Sequence, residues 1–340
     1  MSGRSRVTIG DVARGAGVSP TTVSHALNGK GVVRPATRAR VLRTAQRLGY
    51  LPNSAARNLR SGRTATLGLM FPREEFSGVE YYLQLASAAA QAAFARDHGV
   101  LLIPPIQAPE QLRRFAVDGG IVSDPVAGDS RLAAFDALGL PTVSIDRDLS
   151  RGDDPWWVAA DNVANTRTAL DHLVAAGARR VAFLTGDASW GWLDDSLRAY
   201  LGWARERGCE PLVATAGMAA HERGAAAAAG ELLDRPDPAD AIFTPPDRFA
   251  LGVLRAARER GIDVPGRLRI AVGVDSSQAR LADPPITAID LHPQETGRAA
   301  VDMLLARIAG AAGSGPRIVR ADLRPRASTA PRGAEICSAP

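Results

Sequence analysis

The side chains best able to take part in chemistry fall into two groups that lie far apart in the sequence. Near the N-terminus, hydroxyl residues and one imidazole follow one another in SPTTVSHAL, residues 19–27. Farther along, Asp146 and Arg147 follow the apolar run TVSI, and Asp275 follows AVGV. The first group can offer hydrogen bonds to a polar surface. The second can hold hydroxyl groups in a bidentate manner.

The N-terminal group lies within a pattern of short helices. Thr8 and Asp11 have the spacing of a capping box, ahead of apolar residues that predict a first helix over residues 9–16. Gly17 can end that helix because glycine tolerates a left-handed backbone.

Two more helices are expected to follow. Ser19 is a suitable cap and Pro20 a suitable first residue for a second helix, and Pro35 opens a third. Four apolar residues of the third helix are predicted to close a small core: Val41, Leu42, Ala45 and Leu48. Two short helices joined by a glycine-containing turn, the second one polar on its outer side, are typical of a helix-turn-helix.

The same segment concentrates positive charge. Residues 1–63 contain twelve Lys or Arg residues and one acid, Asp11, which gives a net charge of +11. Because the whole chain carries +5, the other 277 residues carry −6. A basic block on an otherwise acidic chain is the electrostatic footprint of phosphate contacts. Pattern and charge together predict DNA binding rather than a merely solvated basic face.

The segments VTIGDVARGAGVSPTTVSHALN, TRARVLRTAQRLGYLPN and AARNLRSG resemble the DNA-binding head of the LacI/GalR (lactose repressor) family of bacterial transcription regulators. The resemblance implies that the second helix enters the major groove. The residues that it implies for DNA contact are Pro20, Thr21 and His25 at bases and Thr22 and Ser24 at phosphates, together with Thr8, Ser19 and Asn28. One departure is Arg34, where a serine-type cap is more usual before the third helix.

Residues 53–63 are predicted to form a conditional hinge helix. Asn53 can cap one or two turns that Gly62 ends, but so short a helix is marginal in water without packing partners. The resemblance implies that this helix pairs with its copy from a second subunit. It also implies that Leu59 wedges into the central minor-groove step, which kinks DNA, and that Arg57 contacts the minor groove.

After residue 64, apolar runs of strand type alternate with helical patterns. Ten strands are predicted, at residues 67–71, 100–104, 120–123, 142–146, 158–160, 181–185, 212–214, 241–244, 269–274 and 287–290. Buried strands separated by helices indicate parallel sheets built from right-handed βαβ units. Ten strands are too many for one compact sheet, so the pattern predicts two doubly wound lobes. Ligands of such folds bind beyond the carboxyl ends of the strands, here at a shared cleft.

This part of the chain also resembles the effector domain of the same family, although less densely. The matching segments are VAADNVANTRTALDHLVAAGARRVAFLTG, AIFTPPDRFALGVLRAARERGIDVP, AVGVDSSQARLADPPITAID and LRPRAST. The resemblance implies a fold similar to periplasmic sugar-binding proteins, with three crossovers between lobes. The implied first lobe comprises residues 64–162 and 293–317, and the second comprises residues 163–291 and 318–329.

The effector-binding residues are predicted from the family resemblance and from their positions after predicted strands. The resemblance implies that Asp146, Arg198 and Asp275 hold polar groups of a ligand. The ends of predicted strands add Arg147 and Asp247, and Trp190 could stack on a sugar face or a base, although core or rim packing of this indole and of Trp192 is equally consistent with the sequence. Other polar residues after strands are Asp161, Asn162 and Asp187, and for Asp161 a helix cap is the favoured interpretation.

Three features depart from the family pattern. Pro246 stands where the family has the Asn of an Asn-Asp pair, and Arg198 lies one residue farther than usual from its Gly-aromatic pair. The segment at residues 106–115 is also shorter than the corresponding segment of the family. Two interpretations therefore stay open: a sugar or sugar derivative as effector, or a DNA-binding regulator with an atypical effector or none.

Several other function classes find no support in the sequence. Motifs of nucleotide-binding loops, serine hydrolases and zinc proteases are absent, and the five His residues are scattered. No apolar run reaches about 18 residues, and the N-terminus lacks a secretion signal, which argues against a secreted sugar-binding module. Cys209 and Cys337 lie far apart, as suits a reducing cytoplasm. We therefore expect a cytoplasmic protein that is not an enzyme and needs no cofactor, metal or membrane.

The sequence thus predicts an α/β protein with an N-terminal three-helix helix-turn-helix head and hinge helix, followed by a two-lobed, periplasmic-binding-protein-like, doubly wound effector domain. The expected boundaries are residues 1–52 for the head, 53–63 for the hinge, 64–330 for the effector and dimerisation domain and 331–340 for a disordered tail. The expected function is that of a homodimeric transcriptional regulator, with repression as the expected mode, which binds palindromic double-stranded operator DNA under control of a small-molecule effector.

Overall fold

Local signals define the three N-terminal helices. The computed structural model describes residues 7–28, 31–50, 63–72, 79–313 and 315–330. The helices of the head are α1 (Ile9–Ala16), α2 (Pro20–Asn28) and α3 (Pro35–Leu48). Thr8 and Asp11 form the predicted capping box, and Gly17 and Gly49 end α1 and α3 in the left-handed conformation. The chain divides into two compact units, Met1–Thr64 and Ala65–Pro340, and these helices belong to the first.

A small apolar core joins the three helices. Val12 of α1, Val23 of α2 and Val41 and Ala45 of α3 are buried together. The prediction for Leu42 was wrong, because its side chain is 47% exposed. One residue along a helix turns the side chain by about 100°, so Leu42 points away from the face that Val41 and Ala45 share.

The second unit alternates strands and helices along almost its whole length. In chain order the elements are β1 (Thr66–Met70), α4 (Val79–Phe94), β2 (Gly99–Leu102), α5 (Pro109–Leu112), β3 (Gly119–Ser123), α6 (Ser130–Ala137), β4 (Thr142–Ile145), β5 (Trp157–Ala160), α7 (Asn162–Ala175), β6 (Val181–Gly186), α8 (Gly191–Glu206), β7 (Leu212–Ala216), α9 (His221–Leu233), β8 (Ala241–Thr244), α10 (Asp247–Glu259), β9 (Arg269–Val272), α11 (Ser277–Leu281), β10 (Thr287–Asp290), α12 (Pro293–Ile308), β11 (Arg317–Val319) and β12 (Asp322–Arg324). Short 3₁₀ turns lie at Met218–Ala220 and Ala327–Thr329.

These strands form two six-stranded sheets, one in each lobe. The strand order is β11-β5-β4-β3-β1-β2 in the first lobe and β12-β10-β9-β8-β6-β7 in the second. Both sheets reverse direction of winding between two central strands, β1 and β3 in the first lobe and β6 and β8 in the second. That reversal is the topological switch point at which doubly wound sheets bind ligands. The predicted two-lobed fold is confirmed.

The chain crosses between the lobes three times, as the resemblance implied. The crossings follow β5, follow β10 and lie between β11 and β12. All ten predicted strands are present, and β11 and β12 are additional. β12 pairs antiparallel with β10, which the prediction of parallel sheets did not include. β12 follows β11 without an intervening helix. Parallel pairing needs such a crossover to return the chain to the same end of the sheet.

Candidate functional sites

The cap of α1 uses the hydrogen-bonding groups of Thr8. Its hydroxyl accepts from the Asp11 amide (3.3 Å) and donates to Asp11 Oδ2 (2.7 Å), and its own amide donates to the same oxygen (2.9 Å). These hydrogen bonds, with the nearby Arg14 guanidinium, lower the pKa of Asp11 to about 2. Both donors of Thr8 are therefore engaged within the head itself.

The second helix presents a polar outer face. The Ser19 hydroxyl caps α2 by accepting from the Thr22 amide (3.1 Å), and it lies 2.9 Å from the Thr22 hydroxyl. Pro20, Thr21 and His25 are exposed on this helix, and Val23 is buried. The exposed residues match three of the predicted DNA contacts, Thr22 and Ser24 are half-buried, and Asn28 is the last residue of the helix.

The imidazole of His25 packs against the loop that follows α2. A Cβ atom added to Gly31 would lie 2.7 Å from His25 Nδ1, and Gly31 has a φ of +73°. Both the missing side chain and the left-handed backbone thus require glycine at this position. Gly31 therefore lies directly against the ring of His25, which is exposed on the helix.

The third helix ties the recognition helix in place and contributes charge. Arg38 Nε donates to the carbonyl oxygen of Ala26 (3.2 Å), near the end of α2. Arg34 occupies the N-cap position of α3 and makes no side-chain capping bond, as the departure from the family pattern suggested. The exposed arginines of this helix and its cap are Arg34, Arg38, Arg40, Arg43 and Arg47. They give the head a basic surface suited to phosphates.

Two predicted DNA contacts, Arg57 and Leu59, fall on the hinge segment at residues 53–63, most of which lies outside the described residues. The predicted tail at residues 331–340 does so as well.

The second unit contains a cavity between its two lobes. It lies beyond the carboxyl ends of β3 and β4 in the first lobe and of β8 and β9 in the second. Its lining is aromatic and acidic: Tyr81, Tyr82, Asp124, Asp146, Ala160, Asn162, Asn165, Thr166, Trp190, Trp192, Ser196, Phe243, Pro245, Pro246, Asp247, Gly273, Val274, Ile289 and Leu291. Aromatic rings and a few polar groups that converge on a concave site are suited to binding a small molecule.

Asp146 lies in the first-lobe wall of the cavity. It follows β4 directly and adopts a left-handed conformation with a φ of +65°, which aspartate tolerates better than most residues. Asn162, at the first crossing between lobes, donates from Nδ2 to Asp146 Oδ1 (3.1 Å). Burial, and then the charge of Asp124, raise the pKa of Asp146 well above its usual range.

Asp124 occupies the equivalent position after β3 and was not predicted. It is 7% exposed and also has a left-handed backbone, with a φ of +46°. Its Oδ2 accepts from the hydroxyls of Tyr82 and Ser123, both at 2.7 Å, and the carboxylate is also hydrogen-bonded to Trp192. Burial outweighs these bonds and raises its pKa. Its position directly after the run GGIVS is the sequence signal that could have identified it.

Asp247 lies in the second-lobe wall at the start of α10. It is 6% exposed, and its Oδ1 accepts from the Arg248 amide (2.8 Å). Burial raises the pKa of this carboxyl. Pro246, which replaces the family's asparagine, also lines the cavity but offers no polar side chain.

Two tryptophans complete the wall. The rings of Trp190 and Trp192 are stacked, with centroids 5.5 Å apart and planes 18° apart. Trp190 is 6% exposed, and its indole Nε1 has no hydrogen-bond partner among the residues that the structure describes. An indole N–H buried without a partner can donate to a ligand that enters the cavity.

Three predicted effector-binding residues do not line the cavity: Arg147, Arg198 and Asp275. Arg147 Nη2 pairs with Asp195 Oδ1 (2.6 Å). Arg198 is 59% exposed at its side chain and pairs with Asp194 (3.0 Å) and Asp195, one turn earlier on α8. Both guanidiniums are thus turned toward carboxylates of α8 rather than toward the cavity. Their roles in ligand binding stay predictions.

Asp275 is likewise engaged by protein cations. Its Oδ2 accepts from Arg326 Nη2 (2.8 Å), and its Oδ1 lies 3.5 Å from Arg280 Nη1. The neighbouring residues Gly273 and Val274 reach the cavity instead. Asp161, by contrast, caps α7 by accepting from the Ala164 amide (2.9 Å), as its sequence position suggested.

Contacts between the lobes hold the cavity closed on two sides. On one side, Val126 and Trp190 form an isolated antiparallel bridge, and Arg147 of the first lobe pairs with Asp195 of the second. On the other, Glu80 of α4 accepts from the Ser277 amide (2.6 Å) and Arg280 (2.6 Å) of the second lobe. The two lobes therefore meet through polar contacts that a change in lobe separation would break.

Gly191 permits a close approach between the two lobes. A Cβ atom at this position would lie 2.7 Å from the backbone oxygen of Arg147 in the opposite lobe. Only a residue without a side chain fits there unless the lobes separate.

Comparisons with known proteins cover both units. The family model for bacterial regulatory proteins of the lacI family matches residues 8–53, and that for the periplasmic binding protein-like domain matches residues 170–329. The HTH-type transcriptional regulator CelR of Thermobifida fusca is 31% identical over 321 residues, which cover 91% of this chain and 94% of CelR. The HTH-type transcriptional repressor CytR of Escherichia coli (strain K12) is 30% identical over 338 residues, which cover 95% and 96%.

Solved structures agree. A complex of the transcriptional regulator CelR with cellobiose superimposes with a TM-score of 0.71 at 28% identity, covering 95% of this chain and all of the other. A lac repressor dimer bound to operator gives a TM-score of 0.78 at 24% identity, covering 96% of this chain and all of the other, and it supports the fold alone.

No helix in the described part of the chain has the length and apolar character needed to cross a bilayer. Within the same residues, no group of three or more His, Cys, Asp or Glu side chains is placed to hold a metal ion.

With its helix-turn-helix head, its two-lobed cleft and relatives that match over nine-tenths of its length, the chain belongs to the lacI family of bacterial regulatory proteins and is an effector-controlled, DNA-binding transcriptional regulator, not an enzyme.

Proposed function

We propose that this regulator acts as a homodimer in which each α2 helix reads one half of a palindromic operator. The observation that carries this proposal is the exposed set Pro20, Thr21 and His25 on a capped helix within a basic head. A two-fold symmetric pair of recognition helices matches a palindromic site, because each half-site then meets the same side chains. The lac repressor dimer on its operator, which shares this fold, supports the arrangement.

The remaining head residues have supporting roles in this proposal. Ser24 and Thr22 contact phosphates beside the recognition face, and Ser19 and Thr8 position α2 and α1 through their caps. Asn28 contacts DNA at the end of α2. Phosphate contacts of this kind fix orientation, while the exposed side chains in the groove supply specificity.

The hinge supplies the second part of operator binding in this proposal. Residues 53–63 connect a head at residues 1–52 to the effector domain at residues 64–330. Leu59 wedges into the minor groove at the centre of the operator, and Arg57 lies beside it. Insertion of an apolar side chain bends the duplex and lets two heads reach their half-sites together.

The interlobe cavity is the proposed effector site, with Asp146, Trp190 and Asp247 among its contacts. Carboxylates accept hydrogen bonds from hydroxyls, Asn162 fixes one of those carboxylates, and stacked indoles cover the face of a sugar ring. None of the described residues that line the cavity is Lys, Arg or His, so the site favours a polyhydroxylated molecule without an anionic group. The cellobiose complex of CelR supports a saccharide.

In this proposal, ligand binding controls the affinity for the operator by changing how closely the two lobes approach each other. The contacts that Arg147 and Glu80 make across the cleft are present in one closure state, so a ligand that favours this state shifts the position of the first lobes. Such couplings are typically about 1–3 kcal/mol. Because its target is chromosomal DNA, we place the protein in the cytoplasm.

Operator selection with the purified chain tests the proposal. A random duplex library should yield a palindromic site, and repeating the selection with a panel of neutral and amino saccharides should change its recovery for at least one ligand. A non-palindromic site would overturn the dimeric reading. A palindromic site whose recovery no saccharide alters would favour the alternative of an atypical effector or none, which Pro246 and the outward position of Arg198 already suggest.

A further inference from the structure

The interlobe cavity carries an excess of negative groups. Asp124, Asp146 and Asp247 line it, and among the described lining residues there is no cationic side chain. Asp124 and Asp247 are buried, and Asp146 is half-buried. Removing carboxylates from water without a compensating cation is costly, so such groups take up either a proton or a positively charged partner.

The two arginines whose charges act on Asp124 and Asp146 are paired with other carboxylates. Arg131 is buried in a bidentate pair with Asp129, at 3.0 Å through Nε and 2.7 Å through Nη2. Its contact with Asp124 is to the backbone oxygen (3.1 Å). Arg147 is paired with Asp195. Among the residues that the structure describes, no side chain therefore forms an ion pair with Asp124 or Asp146, whereas the charge of Arg248 acts on Asp247.

The aromatic lining suits a cation as well as a ring. Tyr81, Tyr82, Trp190 and Trp192 all face the cavity. Cations are attracted to the faces of aromatic rings, most strongly to tryptophan. The unpartnered Nε1 of the buried Trp190 needs an acceptor, which an ammonium group cannot provide and a hydroxyl can.

We propose that the effector is an amine-bearing saccharide, with its ammonium group bound between Asp124 and Asp146 and its hydroxyls at Asp247 and Trp190. This inference rests on the proposed function, since it names the ligand class of the same cleft. The ammonium offers three donors, which two carboxylates can accept together. Its charge balances two carboxylates that have no ion-pair partner among the described residues.

The electrostatics of the cavity agree with this assignment. Hydrogen bonds from Tyr82, Ser123 and Trp192 and the charge of Arg131 act on Asp124, whose own charge acts on Tyr81. The charges of Asp124, Asp195 and Arg147 and the hydrogen bond from Asn162 act on Asp146. After burial, repulsion by Asp124 is the largest cause of the raised pKa of Asp146. A bound ammonium favours both ionised forms, so binding should release protons, and affinity should fall as pH is lowered.

Calorimetry on the full-length protein tests the proposal with matched sugars. The probes are glucosamine, galactosamine and mannosamine, each beside its N-acetyl derivative, which has the same ring and no charge. At least one free amine should bind tenfold or more tightly than its acetylated partner, and this advantage should shrink at low pH. Equal or tighter binding of the neutral partners would overturn the proposal while leaving a saccharide effector intact.

Variants separate charge from shape. Asp146→Asn should remove most of the preference for the amine, whereas Asp153→Asn, an equal change of charge at an exposed position of the same lobe, should keep it. If Asp146→Asn does not fold, Asp124→Asn provides the same test. An undiminished preference in a folded cleft variant would contradict the proposal. Failure of every amine and neutral saccharide to bind would contradict both this inference and the proposed effector class.

Discussion

The head and the interlobe cleft of this regulator use opposite physical means. The head displays its arginines and the hydroxyl and imidazole groups of α2 at an exposed surface. The cleft withdraws carboxylates, tyrosines and tryptophans from water and places them around a cavity. Exposed charges gain little individually and are screened by salt, whereas buried groups interact strongly with few partners. Operator affinity should therefore come from many weak contacts, and effector affinity from a few strong ones.

The largest expected difference between the two sites is in how strongly their binding affinity depends on salt concentration. Binding to DNA releases counterions from its phosphates, so added salt opposes binding. For a protein that makes six to ten phosphate contacts, a rise from 50 to 200 mM salt weakens DNA binding by roughly 10³–10⁵-fold. Effector affinity should change by no more than about threefold, since the buried carboxylates are screened much less. Fluorescence anisotropy for the operator and calorimetry for the effector measure both slopes. Equal slopes would remove the contrast between the sites.

Loss of one cleft carboxylate should produce the next largest effect. Asp146→Asn is expected to weaken effector binding by about 10–100-fold, because hydrogen bonds to a charged group contribute about 1.5–3 kcal/mol. Asp153→Asn is the matched control. Unchanged effector affinity in a folded Asp146→Asn protein would place the ligand elsewhere.

Closure of the lobes can be disturbed without touching the ligand. Gly191→Ala places a methyl group 2.7 Å from the Arg147 carbonyl oxygen and should force the lobes apart, lowering effector affinity by about tenfold. Gly202→Ala, on the same helix, is the control, because a Cβ atom there meets nothing within 4 Å. The control should stabilise α8 slightly, by about 0.5–1 kcal/mol. Equal affinities of the two variants would argue against tight closure.

Two substitutions in the head should differ in whether the loss of DNA affinity depends on the DNA sequence. His25→Ala is expected to reduce discrimination at one base pair of each half-site by about 1 kcal/mol, near the lower end for direct base contacts. Arg43→Ala should instead weaken all duplexes about equally and lower the salt slope by about one. Binding to a set of single-base operator variants distinguishes these patterns. A uniform loss with His25→Ala would assign the imidazole to a phosphate or to packing against Gly31.

The smallest expected effect concerns stability. Because the pKa of Asp146 is raised from 3.8, the folded protein binds more protons than the unfolded chain in the window above 3.8, and stability falls as pH rises through that window. Asp146→Asn removes this term. The variant should therefore melt a few degrees higher than the wild type at pH 7 and at a similar temperature near pH 4. A lower melting temperature at pH 7 would mean that the ionised carboxylate stabilises the fold.

The same contrast explains what the sequence could predict. The head depends on contacts within three or four residues, such as the Thr8–Asp11 box and the Ser19 cap, so its helices follow from local spacing. The strands of both lobes were also predictable, because each is a short apolar run bounded by polar residues. Leu42 was misplaced because apolar character alone does not specify which face of a helix is buried.

The cleft depends on contacts between distant residues. Asp146, Trp190 and Asp247 were predicted from strand ends and composition, and the structure places them at one cavity. Asp124 and the Tyr81–Tyr82 pair were missed because their position depends on how α4 and β3 pack. The ion pairs that turn Arg147 and Arg198 toward Asp195 lie across the lobes and along α8, and no sequence pattern specifies such partners in advance.

The most direct test of the account is an operator titration across effector concentrations. The full-length protein, the operator recovered by selection and a ligand shown by calorimetry to bind are combined, and anisotropy measures operator affinity for the wild type and Asp146→Asn. We expect saturating ligand to change wild-type affinity by at least about fivefold, the lower limit of typical coupling, with the response of the variant displaced to higher ligand concentration. Wild-type operator affinity that stays constant while the ligand occupies the cleft would contradict control of the head by the cleft.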